Sequence, residues 1–125
     1  MRNRGTAVIF KDGKVLLVRD KGKSRFSLPG GGINRNEPSV SATAREVYEE
    51  LGMHVSMVKR LHECDFEGSL SKYNVCLVEA NGNPRLKGHE LDKFIWWDMK
   101  EPVPVYEHVN QILSKIIKHK YDQKQ

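Results

Sequence analysis

Gly31-x5-Glu37-x7-Arg45-Glu46-Val47-Tyr48-Glu49-Glu50-Leu51-Gly52-Met53 is the stretch on which this chain turns. Residues 38–51 have helical periodicity, with Pro38 suited to a first turn and Gly52 to the position just past the end. At about 100° per residue, Val40, Ala44, Val47 and Leu51 share one face and are its expected core contact. Glu46, Glu49 and Glu50 gather on roughly the opposite side. The pairs 46/49 and 46/50 stand at separations where like charges repel by about a few tenths of a kcal/mol each. They also sit near the helix C-terminus, where the macrodipole disfavours anions. A sequence shaped only for stability would place Lys or Arg there. A cation removes the conflict, because carboxylates converging from adjacent turns offer hard oxygen ligands to Mg²⁺, which keeps several waters and accepts phosphate oxygens from a substrate. Taken alone, the helix is equally compatible with a solvated acidic face.

Outward from this helix the pattern is that of a sheet. Residues 6–10 and 15–18 are expected strands joined by a turn at Asp12-Gly13. A basic loop runs to Arg25, then a short strand at 26–28 and the breaker cluster Pro29-Gly30-Gly31-Gly32. Residues 55–61, 63–67, 72–78 and 94–97 are further expected strands, with Gly68-Ser69 and Asn81-Gly82-Asn83-Pro84 as turns. Residues 106–119 set Val109, Ile112, Leu113, Ile116 and Ile117 on one stripe, which predicts a second amphipathic helix. The fold class is α+β, a mixed sheet with helices packed on it.

The 125 residues fit one domain, 1–125, with 38% hydrophobic and 30% charged residues, as in soluble globular proteins. No apolar run is long enough to span a bilayer, and the basic start lacks the features of a secretory leader, so the expected location is cytoplasmic, without a membrane partner. Cys64 and Cys76 lack metal-ligand spacing and are expected to be reduced, partly buried thiols, with a disulfide or zinc site as the minor alternative. The net charge of +5 suits a polyanionic partner, although much of the excess lies in residues 21–25 and in a basic tail, 115–124, that resembles a solvated end.

The quoted run resembles the signature of the Nudix hydrolases at every fixed position, and Leu28-Pro29-Gly30-Gly31-Gly32 is similar to that family's lead-in. The resemblance implies a mixed sheet sandwiched between helices, with a loop, helix and loop carrying the chemistry. It implies that Glu46, Glu49 and Glu50 bind Mg²⁺, with Mn²⁺ a substitute, and that Glu37 and Arg45, with Gly31, brace the loop against the helix. Diphosphate hydrolysis needs a positioned water, charge neutralisation and a proton acceptor. Glu46 is the first candidate for that acceptor. Glu90, in a loop where family members often carry an additional acid, is the second.

The expected substrate is a nucleoside diphosphate linked to another group, first a nucleoside triphosphate or an oxidised nucleotide. Pyrophosphate removal from an RNA 5′ end and a non-catalytic nucleotide- or RNA-binding module are the rivals. The intact carboxylate set counts against the last, since glutamates repel phosphates unless a metal is present. Lys21, Lys23 and Arg25 are weaker candidates for reaching a phosphate tail. Phe26, Phe66, Tyr73, Trp96, Trp97 and Tyr106 are candidates for a base-stacking wall, with Phe26 placed beside Lys23 and Arg25 as substrate-binding, although aromatics in strands usually serve the core. His54, His62, His89, His108 and His119 have no metal-ligand spacing and are given no role.

Overall fold

A computed structural model describes residues 1–123; Lys124 of the basic tail lies outside the described residues. Strands β1 (Arg2–Lys11) and β2 (Lys14–Asp20) lead to a short strand β3 (Gly30–Gly32) and the helix α1 (Ser39–Leu51). There follow β4 (His54–Arg60), a 3₁₀ turn (His62–Cys64), β5 (Phe66–Glu67), β6 (Ser71–Asn81), β7 (Leu91–Trp97) and α2 (Glu107–Lys118). The main sheet runs β4-β6-β1-β2-β7. Strands β1 and β6 are parallel and the other neighbours antiparallel, which makes the expected mixed sheet.

Alternation along the central strands decides which helix covers which face. Val8, Val15, Leu17 and Val75 point to one side, where α2 supplies Val109, Ile112, Leu113 and Ile116. Ala7, Ile9, Leu16, Val18, Cys76 and Val78 point to the other, where α1 supplies Val47 and Leu51. The sheet is thus buried on both faces, and each helix needs only one apolar stripe. Both cysteines are buried and free, as expected, and burial pushes the Cys64 thiol up to about 11.

Several local expectations shift. Pro38 caps α1 in extended conformation instead of entering its first turn, and accepts the Ala42 N–H at 3.0 Å. The buried residues of α1 are Ala42, Thr43, Val47 and Leu51, whereas Ala44 is half-buried and Val40 packs at the core edge. A polar Thr43 is tolerated there because its hydroxyl donates to the Ser39 carbonyl at 2.8 Å. Residues 26–28 form no strand; isolated bridges Val18↔Ser27 and Phe26↔Val105 hold them. Conversely the glycine run, expected only as a breaker, is a strand that pairs with β1. The segment 63–67 is a 3₁₀ turn and a two-residue strand because Arg60 claims Asp65, with forked contacts of 2.7 and 2.8 Å.

The position of the glycine strand follows from how β1 divides its edge. Phe10 and Lys11 pair with β2, while Arg4, Gly5 and Thr6 pair with β3. The backbones meet so closely here that a β-carbon on Gly30, whose φ is +150°, would lie 2.0 Å from the Gly5 carbonyl oxygen. Gly30→Ala is therefore expected to lower stability by about 4 kcal/mol or more, since backbone, not a flexible side chain, blocks the new atom. Urea unfolding of this variant checks it, and a loss below about 1 kcal/mol would show that the strands separate cheaply.

Candidate active site

Arg45 organises the start of the site. Its Nε and Nη2 donate to the two Glu37 oxygens at 2.9 and 3.0 Å, and Nη2 also reaches the Gly32 carbonyl at 3.0 Å. Its Nη1 donates to Glu46 Oε2 at 3.1 Å and to Glu49 Oε1 at 2.9 Å. Glu37 in turn accepts the Asn34 N–H at 2.9 Å. The loop between β3 and α1 is thereby tied to the helix at both ends by planar, charge-assisted contacts. The Arg45 guanidinium beside Glu37 holds that carboxyl below the usual carboxylate range.

Past this brace, Glu46, Glu50 and Glu90 line one cavity of about 280 Å³ together with Arg2, Arg4 and Asp20. A β-carbon on Gly31 would fall 2.4 Å from the Glu46 carboxyl carbon, so only glycine lets that carboxylate lie flat against β3. Burial pushes both Glu46 and Glu50 upward, Glu50 to about 8, and Glu46 and Glu90 add to the rise at Glu50. Oε1 of Glu50 is buried and unpartnered among the described residues. A buried, unsatisfied carboxylate oxygen among other acids costs free energy that a bound cation would recover. The donor set, all carboxylate oxygen, suits Mg²⁺ or Mn²⁺. The described residues do not, however, include three acids already gathered around one point.

The expected convergence of Glu46, Glu49 and Glu50 is accordingly altered. Glu50 turns inward, and Glu49 is turned aside onto Arg45, with its side chain 52% exposed. Glu90, from the loop before β7, takes a place on the cavity wall. Its carbonyl accepts the Lys21 N–H at 2.9 Å, which fixes the loop to the end of β2. Spacing along a helix gives the face of each side chain but not the competition for one guanidinium.

A second hollow of about 180 Å³ shares Arg4, Asp20, Ser27 and Leu28 with the first and is walled by Tyr73, Tyr106 and His108. The rings of Tyr73 and His108 stack at 4.2 Å and 11°. Tyr73 and Tyr106, named among the candidate stacking aromatics, thus sit beside the carboxylates. Phe26 is 5% exposed and packs in the core under α2, so its ring offers no face to a substrate. Lys21 and Lys23 are exposed and Lys23 lines neither hollow; Arg25 reaches the second only through Tyr106, its guanidinium 4.4 Å from that ring centre. Arg2 and Arg4 are the cations on the cavity wall, and sequence reasoning passed over them. Strand alternation from residue 2 onward, had β1 been extended to its true start, puts both on the same face as Thr6.

The family model described as NUDIX domain matches residues 1–119. A MutT NUDIX hydrolase from Burkholderia pseudomallei superposes with a TM-score of 0.81 at 26% identity, covering 92% of this chain and 97% of that one. An m7GpppN-mRNA hydrolase of Saccharomyces cerevisiae is 28% identical over 107 residues, 78% of this chain and 11% of that protein. An RNA pyrophosphohydrolase of Pasteurella multocida is 37% identical over 60 residues, 48% of this chain and 30% of that protein. The chain thus spans between about a tenth and a third of the length of these two relatives.

The acid cluster gives stability a pH signature in the metal-free protein. Folded, Glu50 keeps its proton to about pH 8, whereas its ordinary value is 4.5. Between these values the folded state binds more protons than the unfolded state, so stability falls as pH rises and the loss is complete above about 8. Glu46 is shifted the same way. In excess chelator, wild type is expected to lose on the order of 1–3 kcal/mol between pH 5 and 8.5. Glu50→Gln is expected to flatten most of that slope and to be the more stable protein at pH 8. Chemical unfolding across this range checks both, and parallel profiles for the two proteins would contradict the assignment.

Proposed function

Because the chain belongs to the NUDIX domain family, we propose that it is a divalent-cation-dependent hydrolase of phosphoric anhydrides, cleaving the diphosphate linkage of a nucleoside diphosphate joined to another group. A nucleoside triphosphate or an oxidised nucleotide is the first substrate class. The observation that carries this reading is the pair of connected hollows, one lined by Glu46, Glu50 and Glu90 against Arg2 and Arg4, the other walled by Tyr73, Tyr106 and His108. A phosphate chain fits the charged hollow and a planar base fits the aromatic one.

Glu46 and Glu50, with Glu49 released from Arg45, are the residues to hold Mg²⁺ or Mn²⁺, and Glu90 adds a carboxylate from the facing loop. When bound, the cation would neutralise charge on phosphate oxygens and acidify the attacking water. Arg2 and Arg4 bind the non-bridging oxygens and orient the phosphate chain. Water attacks phosphorus, the bridging P–O bond breaks, and the proton passes to a carboxylate. Glu46, raised by burial, is the first acceptor and Glu90 the second. Arg45 positions Glu46 through its Nη1 contact.

Hydrolysis at an RNA 5′ end is the second reading. It is favoured by the names of the two RNA-acting relatives and by the net charge of +5. A binding module without catalysis gains nothing from a buried, unpartnered Glu50 oxygen.

A hydrolysis screen over nucleoside triphosphates, oxidised nucleotides, dinucleoside polyphosphates, nucleotide sugars and 5′-triphosphate RNA tests the reading. Turnover is expected with Mg²⁺ or Mn²⁺ and none in excess chelator. Glu50→Gln is expected to lower the turnover number about 10²-fold or more with folding intact, and Glu90→Gln to lower it by about 10²-fold with recovery at high pH if Glu90 accepts the proton. Arg4→Ala is expected to raise the Michaelis constant about tenfold while the turnover number changes little. Full activity in chelator would end the proposal.

A further inference from the structure

His108 stands in the first turn of α2 and is 5% exposed. Its Nε2 accepts the backbone N–H of Leu28 at 3.3 Å. A backbone N–H can only donate, so Nε2 carries no proton, and a neutral imidazole in this position must be protonated at Nδ1. The other tautomer would set two N–H groups against each other. Among the described residues Nδ1 has no protein hydrogen-bond partner, and His108 lines the aromatic hollow. Burial first and the Arg4 charge second push the imidazolium down to about 4, so the ring is neutral through the ordinary pH range. Stacking on Tyr73 at 4.2 Å and 11° fixes the ring plane.

We propose that His108 is a specificity-determining residue that presents a fixed Nδ1–H donor to the nucleobase, favouring a base with an oxo group at that edge over its amino counterpart. This rests on the aromatic hollow being the base pocket. An oxo group accepts the hydrogen bond. An exocyclic amino group in the same place would face a donor with a donor, and each desolvated group left unpaired weakens binding. The ring cannot adapt by moving its proton, since Leu28 occupies the other nitrogen. The discrimination is therefore built into the backbone of the segment that leads to Gly30, not into a side chain free to turn.

The test compares wild type, His108→Phe and His108→Asn on GTP against ATP and on UTP against CTP, with Mg²⁺. Wild type is expected to favour the oxo base in each pair by about tenfold or more in kcat/KM, chiefly through KM. His108→Phe keeps a flat ring but no donor, and its preference is expected to fall within about threefold. His108→Asn is expected to accept both bases, because its amide can turn. Independently of any turnover, two-bond ¹H–¹⁵N spectra of histidine-labelled wild type are expected to show the Nδ1-protonated neutral ring from pH 6 to 8. Guanosine added without metal is expected to shift Nδ1 more than adenosine does. A proton on Nε2, or an undiminished preference in folded His108→Phe, overturns the inference. Nucleoside binding that leaves Nδ1 unmoved also overturns it while leaving the base pocket standing. Failure of every nucleoside and nucleotide to bind removes the base pocket and the inference with it.

Discussion

One guanidinium is shared among more carboxylates than it can neutralise, and the rest of the site takes its form from that shortage. Arg45 gives a forked contact to Glu37, one bond to the Gly32 carbonyl, and divides Nη1 between Glu46 and Glu49. Its five donors are then spent. Glu50, one helical turn beyond Glu46, receives none of them and points into the protein with a bare oxygen. The helix end that carries it is capped from elsewhere, by N–H groups of Arg85 and Lys87 donating to the carbonyls of Leu51 and Glu50 at 2.9 and 3.0 Å. These carbonyls of α1 are thus satisfied while one Glu50 oxygen is not, and the deficit lies at the cavity.

The sheet locates that deficit beside the aromatic hollow. Because β1 pairs with β3 along its first half and with β2 only at its end, the strands part between Thr6 and Phe10. Arg4 and Asp20 belong to both hollows and join them. The two faces carry different loads. The α1 face brings acids to the cleft, and the α2 face brings His108 against Leu28, so each helix contributes its stripe to the core and its first or last turn to the site.

The motif made the loop, the helix and the Glu37–Arg45 contact legible in the sequence, since spacing fixes which turns of a helix meet which loop residues. Alternation likewise predicted most strands and the stripe of α2. The departure is at Glu49, which Arg45 draws aside from Glu46 and Glu50, because a helical projection gives the face of a carboxylate but not which one wins a neighbouring guanidinium. Arg2 and Arg4 belong to the basic start of the sequence, where nothing local shows that the first strand begins at residue 2 and borders the glycine strand. His108 looked featureless for a similar reason: its partners, Leu28 and Tyr73, lie 80 and 35 positions away, and an amphipathic helix accepts a lone histidine without comment. Phe26 was placed near substrate by proximity in sequence to Lys23 and Arg25, but the bridge to Val105 turns it under α2.

Charge on the cavity wall explains why the chain's overall positive charge does not by itself make this an anion site. Glu46, Glu50, Glu90 and Asp20 share a space of about 280 Å³ with Arg2 and Arg4, and Arg45, which reaches Glu46 from outside it, is already divided among Glu37, Glu46 and Glu49. A polyphosphate entering it unaided would meet net repulsion at close range, where the dielectric is low and the interaction strong. Without a cation the wall relieves itself by keeping a proton on Glu50, and each such proton removes the negative charge that a metal ligand needs. Cation and proton therefore compete for the same oxygen. A divalent ion held by Glu46 and Glu50 would supply the positive charge that the wall lacks, and Arg2 and Arg4 would then be free to meet an anion.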